Sequence, residues 1–432
     1  MSGSPNAYLQ RHALYPPQIA EPPARGLGLV VTIPSLAEPR LLTTLDSLAA
    51  CAAPRCAVEV LVGVNASECA PSDLLRRNAR SLEEAARWIR EHPAAPFRCH
   101  LLHFSGLPTR HAGVGLARKL VMDEAVARLH AAGNGRGAIA GLDADCRCAP
   151  DYLRALERYF GAHPAMEACS LYFEHDLDAA ETPSLRRGII HYELFLRYFK
   201  LALEFCGHPF AFHTLGSCMA VRADAYQRQG GMNRRKAGED FYFLEKFMKL
   251  GGFGEIRDTT VYPAARQSRR VPFGTGRAMH EWLEREGRPE PVHHPGIFMD
   301  LRSFLARVDT LYGLPGRGLE DFLAELPAAL GSYLREVAFP QRLAEIRANS
   351  ASAEAFRKRF FRWFDRFRVL KYVHFASGRH YAPMPLAGAV TGLLAWQGLC
   401  DQNQAVDAGP EELLLHLRRM EREGERLPLQ LA

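Results

Sequence analysis

Two apolar runs separated by a stretch of helical spacing fix how this chain begins to fold. Gly28-Leu29-Val30-Val31-Thr32-Ile33 is short, apolar and β-branched, and Pro34 closes it. Val58-Glu59-Val60-Leu61-Val62-Gly63-Val64 is a second buried-strand pattern, and residues 39–50 between the two carry helix-type spacing. Strand, helix, strand predicts a parallel βαβ start. The alternation continues, with helical spacing over 82–91, a strand-like 97–104 and a long helix over 113–131 stopped by Gly133-Asn134-Gly135. Ala138-Ile139-Ala140-Gly141-Leu142 then runs as a strand straight into Asp143. The fold class expected is therefore α/β, with ligands bound in the crevice beyond the strand ends, where Asp143 falls.

A second half follows the same logic, with an amphipathic helix over 184–205, a strand-like Ser217-Cys218-Met219-Ala220-Val221 and a helix opening near Glu239. From about residue 300 the patterning is helical, with Trp363, Phe364, Phe367 and Leu370 at helical spacing. Three parts are expected: a flexible leader over 1–26, rich in Pro and polar residues; an α/β domain over 27–299; and a helical C-terminal extension over 300–432. The chain is 432 residues long and 47% hydrophobic, ample for such a core. A net charge of +6, with arginines scattered along the chain, argues against nucleic acid and leaves contact with a membrane surface open. The ten cysteines show no C-x-x-C spacing and suit a reducing cytosol, and the leader lacks the apolar core of a signal peptide. The apolar stretch 383–400 is too short and mild for a span and predicts a buried helix. The expected location is the cytoplasm, with the inner face of the membrane left open.

Chemistry concentrates in two acidic pairs. Asp143-Ala144-Asp145 puts two carboxylates where a bend can direct both toward one hard cation, which would bridge the phosphates of a nucleotide diphosphate. Taken alone, a D-x-D is more often a solvated turn, here with Asp151 capping the next helix. The second pair changes that balance. Gly230-Gly231 leads through Gly238 to Glu239-Asp240 at a helix start, and a carboxylate there can deprotonate an attacking hydroxyl. Complementing the helix dipole explains one of those acids better than two.

Taken in order and spacing, Val30-Val31-Thr32-Ile33-Pro34, Gly141-Leu142-Asp143-Ala144-Asp145, Gly230-Gly231 and Gly238-Glu239-Asp240 resemble the family 2 glycosyltransferases with the GT-A fold, over roughly residues 27 to 275. The resemblance implies a divalent metal, manganese or magnesium, on Asp145 and Asp143, which also bind the donor, and Asp240 as catalytic base with Glu239 nearby. It implies a nucleotide pocket lined by Pro34, with Glu38 near the base and Asn65 where the family usually has an aspartate. Gly113-Val114-Gly115-Leu116-Ala117-Arg118-Lys119 matches the helix start that approaches the donor diphosphate, with Arg118 favoured over Lys119. Gln267-Ser268-Arg269-Arg270 is similar to the Q-x-x-R-W of processive members, but Val271 replaces the Trp, which argues for a non-processive enzyme. Gln267 and Arg270 are then donor-binding candidates, and 271–276 a loop that closes over the site. The third metal ligand is open: His280, His293 and His294 lie downstream, each more often a surface or capping residue. His100 and His103 fall on opposite strand faces and are set aside.

The expectation is a metal-dependent glycosyltransferase moving a sugar from a nucleotide diphosphate donor to a hydroxyl acceptor, with inversion. The alternatives are a nucleotidyltransferase of similar fold and a non-catalytic nucleotide-sugar-binding or scaffold protein. The former would more usually carry a Gly-rich basic loop after the first strand, where Ile33-Pro34-Ser35-Leu36-Ala37 stands.

Overall fold

A computed structural model describes residues 6–268, 273–400 and 408–426. Two compact units emerge, one of residues up to Ile189 with Thr214–Glu284, the other of Ile190–His213 with Arg285 onward. The expected junction at residue 300 lies inside the second unit, within the helix Gly296–Leu305.

The first unit is built on a mixed sheet of eight strands: β1 (Leu27–Ser35), β2 (Ala57–Ser67), β3 (Arg98–Leu107), β4 (Ala138–Gly141), β5 (Arg147–Cys148), β6 (Ala168–Phe173), β7 (Met219–Arg222) and β8 (Phe253–Tyr262). Their order is β3-β2-β1-β4-β7-β6-β8-β5. β3, β2, β1 and β4 run parallel, as the alternating pattern requires, and β7 turns antiparallel against β4. Its helices are α1 (Ala7–His12), α2 (Leu41–Ala49), α3 (Ser72–Glu91), α4 (Val114–Ala131), α5 (Tyr152–Ala162), α6 (Pro183–Phe205, which continues into the second unit), α7 (Ala223–Arg228), α8 (Glu239–Met248) and α9 (Thr275–Glu284). The order reverses between β1 and β4, so the crevice expected of an open α/β sheet opens beyond Ser35 and Gly141. Val30, Val31, Ile33, Val60, Val62 and Ile139 are fully buried, which accounts for their unbroken apolar runs.

Two details depart from the sequence expectation. Pro34 does not close its strand but sits within it, opposite Gly63. β4 pairs with β1 only as far as Thr32, so the missing proline N–H costs no ladder bond on that side. Residues 6–26, expected as a flexible leader, are pinned along α4. Fifteen successive residues of α4, Gly115 to Leu129, are buried, among them the polar Lys119, Asp123, Glu124 and Arg128. The leading segment supplies their partners. Tyr8 Oη donates to Asp123 Oδ1 at 2.8 Å, the Gln18 and Ile19 amides donate to Glu124, and Arg128 donates to the Glu21 and Pro22 carbonyls. Buried polar groups demand such partners.

The second unit is helical where it is described, with one bridge between Val292 and Met384. Phe304, Phe339, Phe360 and Phe364 pack ring to ring in its core, and the apolar 383–400 stretch yields the buried helix Leu386–Trp396. The helical spacing read across Trp363, Phe364, Phe367 and Leu370 spans two helices, Ala353–Trp363 and Arg366–Arg379. Asp365 starts the second by accepting from the Arg368 amide at 2.9 Å, a cap that ends the first. Among the described residues, no helix is long and apolar enough to cross a membrane.

Glu59, fully buried in β2, accepts the Arg128 fork at 2.7 and 2.8 Å and the Ala24 amide at 2.8 Å. Burial works to raise its carboxyl, but the Arg128 and Ala24 bonds outweigh that and leave it below the usual range. A depressed folded-state value contributes stability above the ordinary carboxylate pKa, and that contribution is lost as pH falls through the folded value. Glu59→Gln, which strands the Arg128 charge, should lower stability by about 3–5 kcal/mol in urea unfolding at pH 7, with the deficit shrinking in acid.

Candidate functional site

The crevice is walled by chain segments that leave the strand ends, all within the first unit. Leu36-Ala37-Glu38 follows β1, Asp143-Ala144-Asp145 follows β4, and Glu239-Asp240 opens α8. Thr44 of α2 donates its hydroxyl to the Ala144 carbonyl at 2.8 Å, which fixes the bend between the two aspartates. Opposite, α8 starts from Gly238 at φ +67°, a left-handed conformation that glycine adopts without strain. No side chain caps that end. Glu239 and Asp240 occupy the first turn of α8, where Asp240 also accepts the Phe241 amide.

Arg118 joins the two acidic pairs. Its side chain is 2% exposed. Nη2 donates to Asp143 Oδ1 at 2.8 Å, Nε to Glu239 Oε1 at 3.3 Å and Nη1 to the Gly216 carbonyl at 2.9 Å. The amide of Gly216 in turn donates to Asp240 Oδ2 at 2.8 Å, and the Phe241 amide to Asp240 Oδ1 at 2.8 Å. Gly216 is required there because a Cβ would lie 2.4 Å from Arg118 Nη2. Burial pushes the Glu239 carboxyl up to about 7, against the pull of Arg118, with Asp240 adding to the rise. Burial also raises Asp240, while Arg118 and the two amides draw it back.

A second guanidinium, Arg266, lies on the coil after β8. It donates to Asp145 Oδ2 from Nη2 at 2.7 Å and from Nε at 3.1 Å, and to Glu38 Oε2 at 2.5 Å. Burial raises the Asp145 carboxyl, Arg266 counters, and Asp143 and Glu38 reinforce the rise. Beside this cluster a cavity of about 390 Å³ opens between Leu36, Ala37 and Pro39 on one side and Leu74 and Arg77 on the other, bordered by Arg266 and Gln267. That is the size of pockets that take small organic ligands.

The structure brings Asp143, Asp145, Glu239, Asp240, Glu38 and Arg118 together, with Glu38 meeting the Asp145 carboxylate through Arg266. Asn65, at the end of β2, is buried, and its carbonyl accepts from Asn78 Nδ2 at 2.9 Å. The α4 start is not open to a phosphate as its glycines suggested. A Cβ on Gly113 would lie 2.7 Å from Lys236 Cα, and one on Gly115 would lie 2.3 Å from the Arg235 carbonyl, because the 233–236 coil lies across that turn. Lys119 bonds Tyr8 Oη and Asp123. Gln267 bonds His280 Nδ1 at 2.7 Å, and His280 Nε2 lies 3.0 Å from Glu284 Oε1. His293 and His294 belong to the second unit, where His293 Nδ1 meets Ser377 Oγ. Arg270 and residues 269–272 lie outside the described residues. Sequence reasoning missed Arg266, and no spacing around Ala264-Ala265-Arg266-Gln267 marks it.

Carboxylate oxygens are hard donors, and five of them, Glu38, Asp143, Asp145, Glu239 and Asp240, face two guanidiniums here. Donor chemistry and surplus negative charge fit a hard divalent cation at Asp143 and Asp145. Among the described residues, no group of three or more His, Cys, Asp or Glu is gathered as a ready metal shell.

No protein-family model and no curated protein matches the sequence. Among solved structures, the chain is similar to TarS 1-349 of S. aureus at 13% identity and a TM-score of 0.38, over 82% of this chain and 93% of that one. TarS 1-349 in complex with UDP-GlcNAc matches at 12% and 0.39, over 92% and 93%. The mannosyltransferase PcManGT from Pyrobaculum calidifontis, in complex with GDP-Man and Mn2+, matches at 16% and 0.38, over 95% and 91%. Superpositions this loose leave the reading of the site to its own residues.

Removing Arg118 leaves Asp143 and Glu239 without their counter-charge. Arg118→Ala should cost about 3–5 kcal/mol in denaturant unfolding, and Arg118→Lys should recover only part of it, since an ammonium cannot reach three partners in one plane.

Proposed function

We propose that this protein is a glycosyltransferase that moves a sugar from a nucleotide diphosphate donor to a hydroxyl acceptor, with Asp240 as base. The observation that carries the reading is the linkage of two acidic pairs through Arg118, beyond the carboxyl ends of parallel strands. In one pair Asp145 bonds Arg266, which borders the cavity, and the other pair holds raised carboxyls able to take a proton.

The acceptor hydroxyl gives its proton to Asp240 as its oxygen bonds the anomeric carbon. The bond from that carbon to the diphosphate breaks, its electron pair leaves with the diphosphate oxygen, and the anomeric centre inverts. The Gly216 and Phe241 amides hold the Asp240 carboxylate in position, and Arg118 fixes Glu239 beside it. Manganese or magnesium on Asp143 and Asp145 would supply positive charge against the leaving diphosphate. The cavity beside Leu36 and Ala37 suits the nucleoside end of the donor, within reach of Glu38, Gln267 and, on the sequence resemblance, Pro34, Asn65 and Arg270.

A panel of nucleotide sugars assayed with Mn2+ for release of nucleoside diphosphate tests the reading. Asp240→Asn should lower turnover by about two to four orders of magnitude while the chain still binds donor. Equal turnover in wild type and variant would remove Asp240 as base, and release of pyrophosphate from a nucleoside triphosphate mixed with a sugar 1-phosphate, with no turnover of nucleotide sugars, would identify a nucleotidyltransferase. A base must be unprotonated, and burial raises the Asp240 carboxyl above the usual aspartate range. Activity should therefore fall as pH drops through a limb displaced upward from that of an ordinary aspartate, read from kcat/KM across pH 5–9. An α-linked donor should give a β-linked product by proton NMR.

A further inference from the structure

The two arginines of the site are held differently. Arg118 is enclosed by a carbonyl and by carboxylates on two elements. Arg266 stands on coil, with its side chain 17% exposed, and borders the cavity. It draws Asp145 and Glu38 together from the ends of different strands, two carboxylates that would otherwise repel. Oxygens converging on one positive centre is also the arrangement a hard divalent cation requires.

We propose that Arg266 is an internal stand-in for the divalent cation. It competes with the cation for Asp145, which it holds beside Glu38, and once displaced it turns its fork to the donor's diphosphate at the edge of the cavity that takes the nucleoside end. This rests on the donor-and-cation reading above. Arginine suits both posts. Its guanidinium keeps its proton at any working pH, and its planar fork matches carboxylate and phosphate alike. An acidic cluster left without a cation would repel itself, so a displaceable counter-charge keeps the empty site closed and yields it to a doubly charged competitor. Donor and cation then arrive as a coupled pair, because the cation frees the group that grips the donor.

The full chain and its Arg266→Gln and Arg266→Lys variants are titrated by calorimetry, first with Mn2+ alone, then with UDP and with GDP in saturating Mn2+, after circular dichroism has matched their folds. Arg266→Gln should bind Mn2+ alone about tenfold or more tightly than wild type, and the better-bound diphosphate about tenfold or more weakly. Arg266→Lys should move the same way by less, and carries the test if the glutamine variant fails to fold. Opposite shifts are the signature, since a merely structural role would weaken both. Equal Mn2+ affinity, or loss of both affinities together, overturns the inference and leaves the cation reading standing. Mn2+ bound by neither wild type nor variant overturns the cation reading, and this inference falls with it.

Discussion

The site depends on one buried guanidinium. Arg118 carries a full charge into a place with 2% exposure, a transfer that costs several kcal/mol unless every donor finds an acceptor. Asp143, Glu239 and the Gly216 carbonyl meet that demand. The three partners come from the strand end after β4, the start of α8 and the turn before β7, so one side chain holds segments far apart in sequence. The glycines serve it. Gly216 leaves room for the guanidinium, and Gly115 lets the 233–236 coil lie on the first turn of the helix that carries Arg118.

Around that joint the charges fall into two sets with different chemistry. Asp145 and Glu38 meet a partly exposed guanidinium beside open space. Asp240 is held instead by the Gly216 and Phe241 amides, and Glu239 by the enclosed Arg118. An open-sided guanidinium in one set and fixed amides in the other suit separate tasks, one set for cation and phosphate and the other for a proton.

The parallel half of the fold was legible because strands buried on both faces must be apolar throughout, and the runs at Val30 and Val60 obey that. Asp143 was legible for a related reason: a charged residue directly after such a run emerges at a strand end. β5, two residues long, and β8, interrupted by Glu255, Arg257 and Asp258, lack a repeating pattern strong enough to read. Arg266 was invisible because its role comes from a coil that folds back more than a hundred residues to Asp145. Glu38 was noticed only through the family resemblance, and its bond to Arg266 was hidden with Arg266 itself. The leading segment misled through composition. Proline and polar residues usually mean solvated coil, yet here they satisfy the buried charges of α4.

That segment also sets an order of events as the chain is made. Tyr8 and the Gln18 amide emerge early from the ribosome, but their partners Asp123 and Glu124 follow more than a hundred residues later. Until then the first part of the chain has no helix to lie on. Contacts this distant in sequence close slowly. Arg118 waits longer still, for Glu239. The first unit therefore completes only after residues deep in its second half have appeared, so a ribosomal pause or a truncation before Glu239 would leave its most costly charge with Asp143 alone.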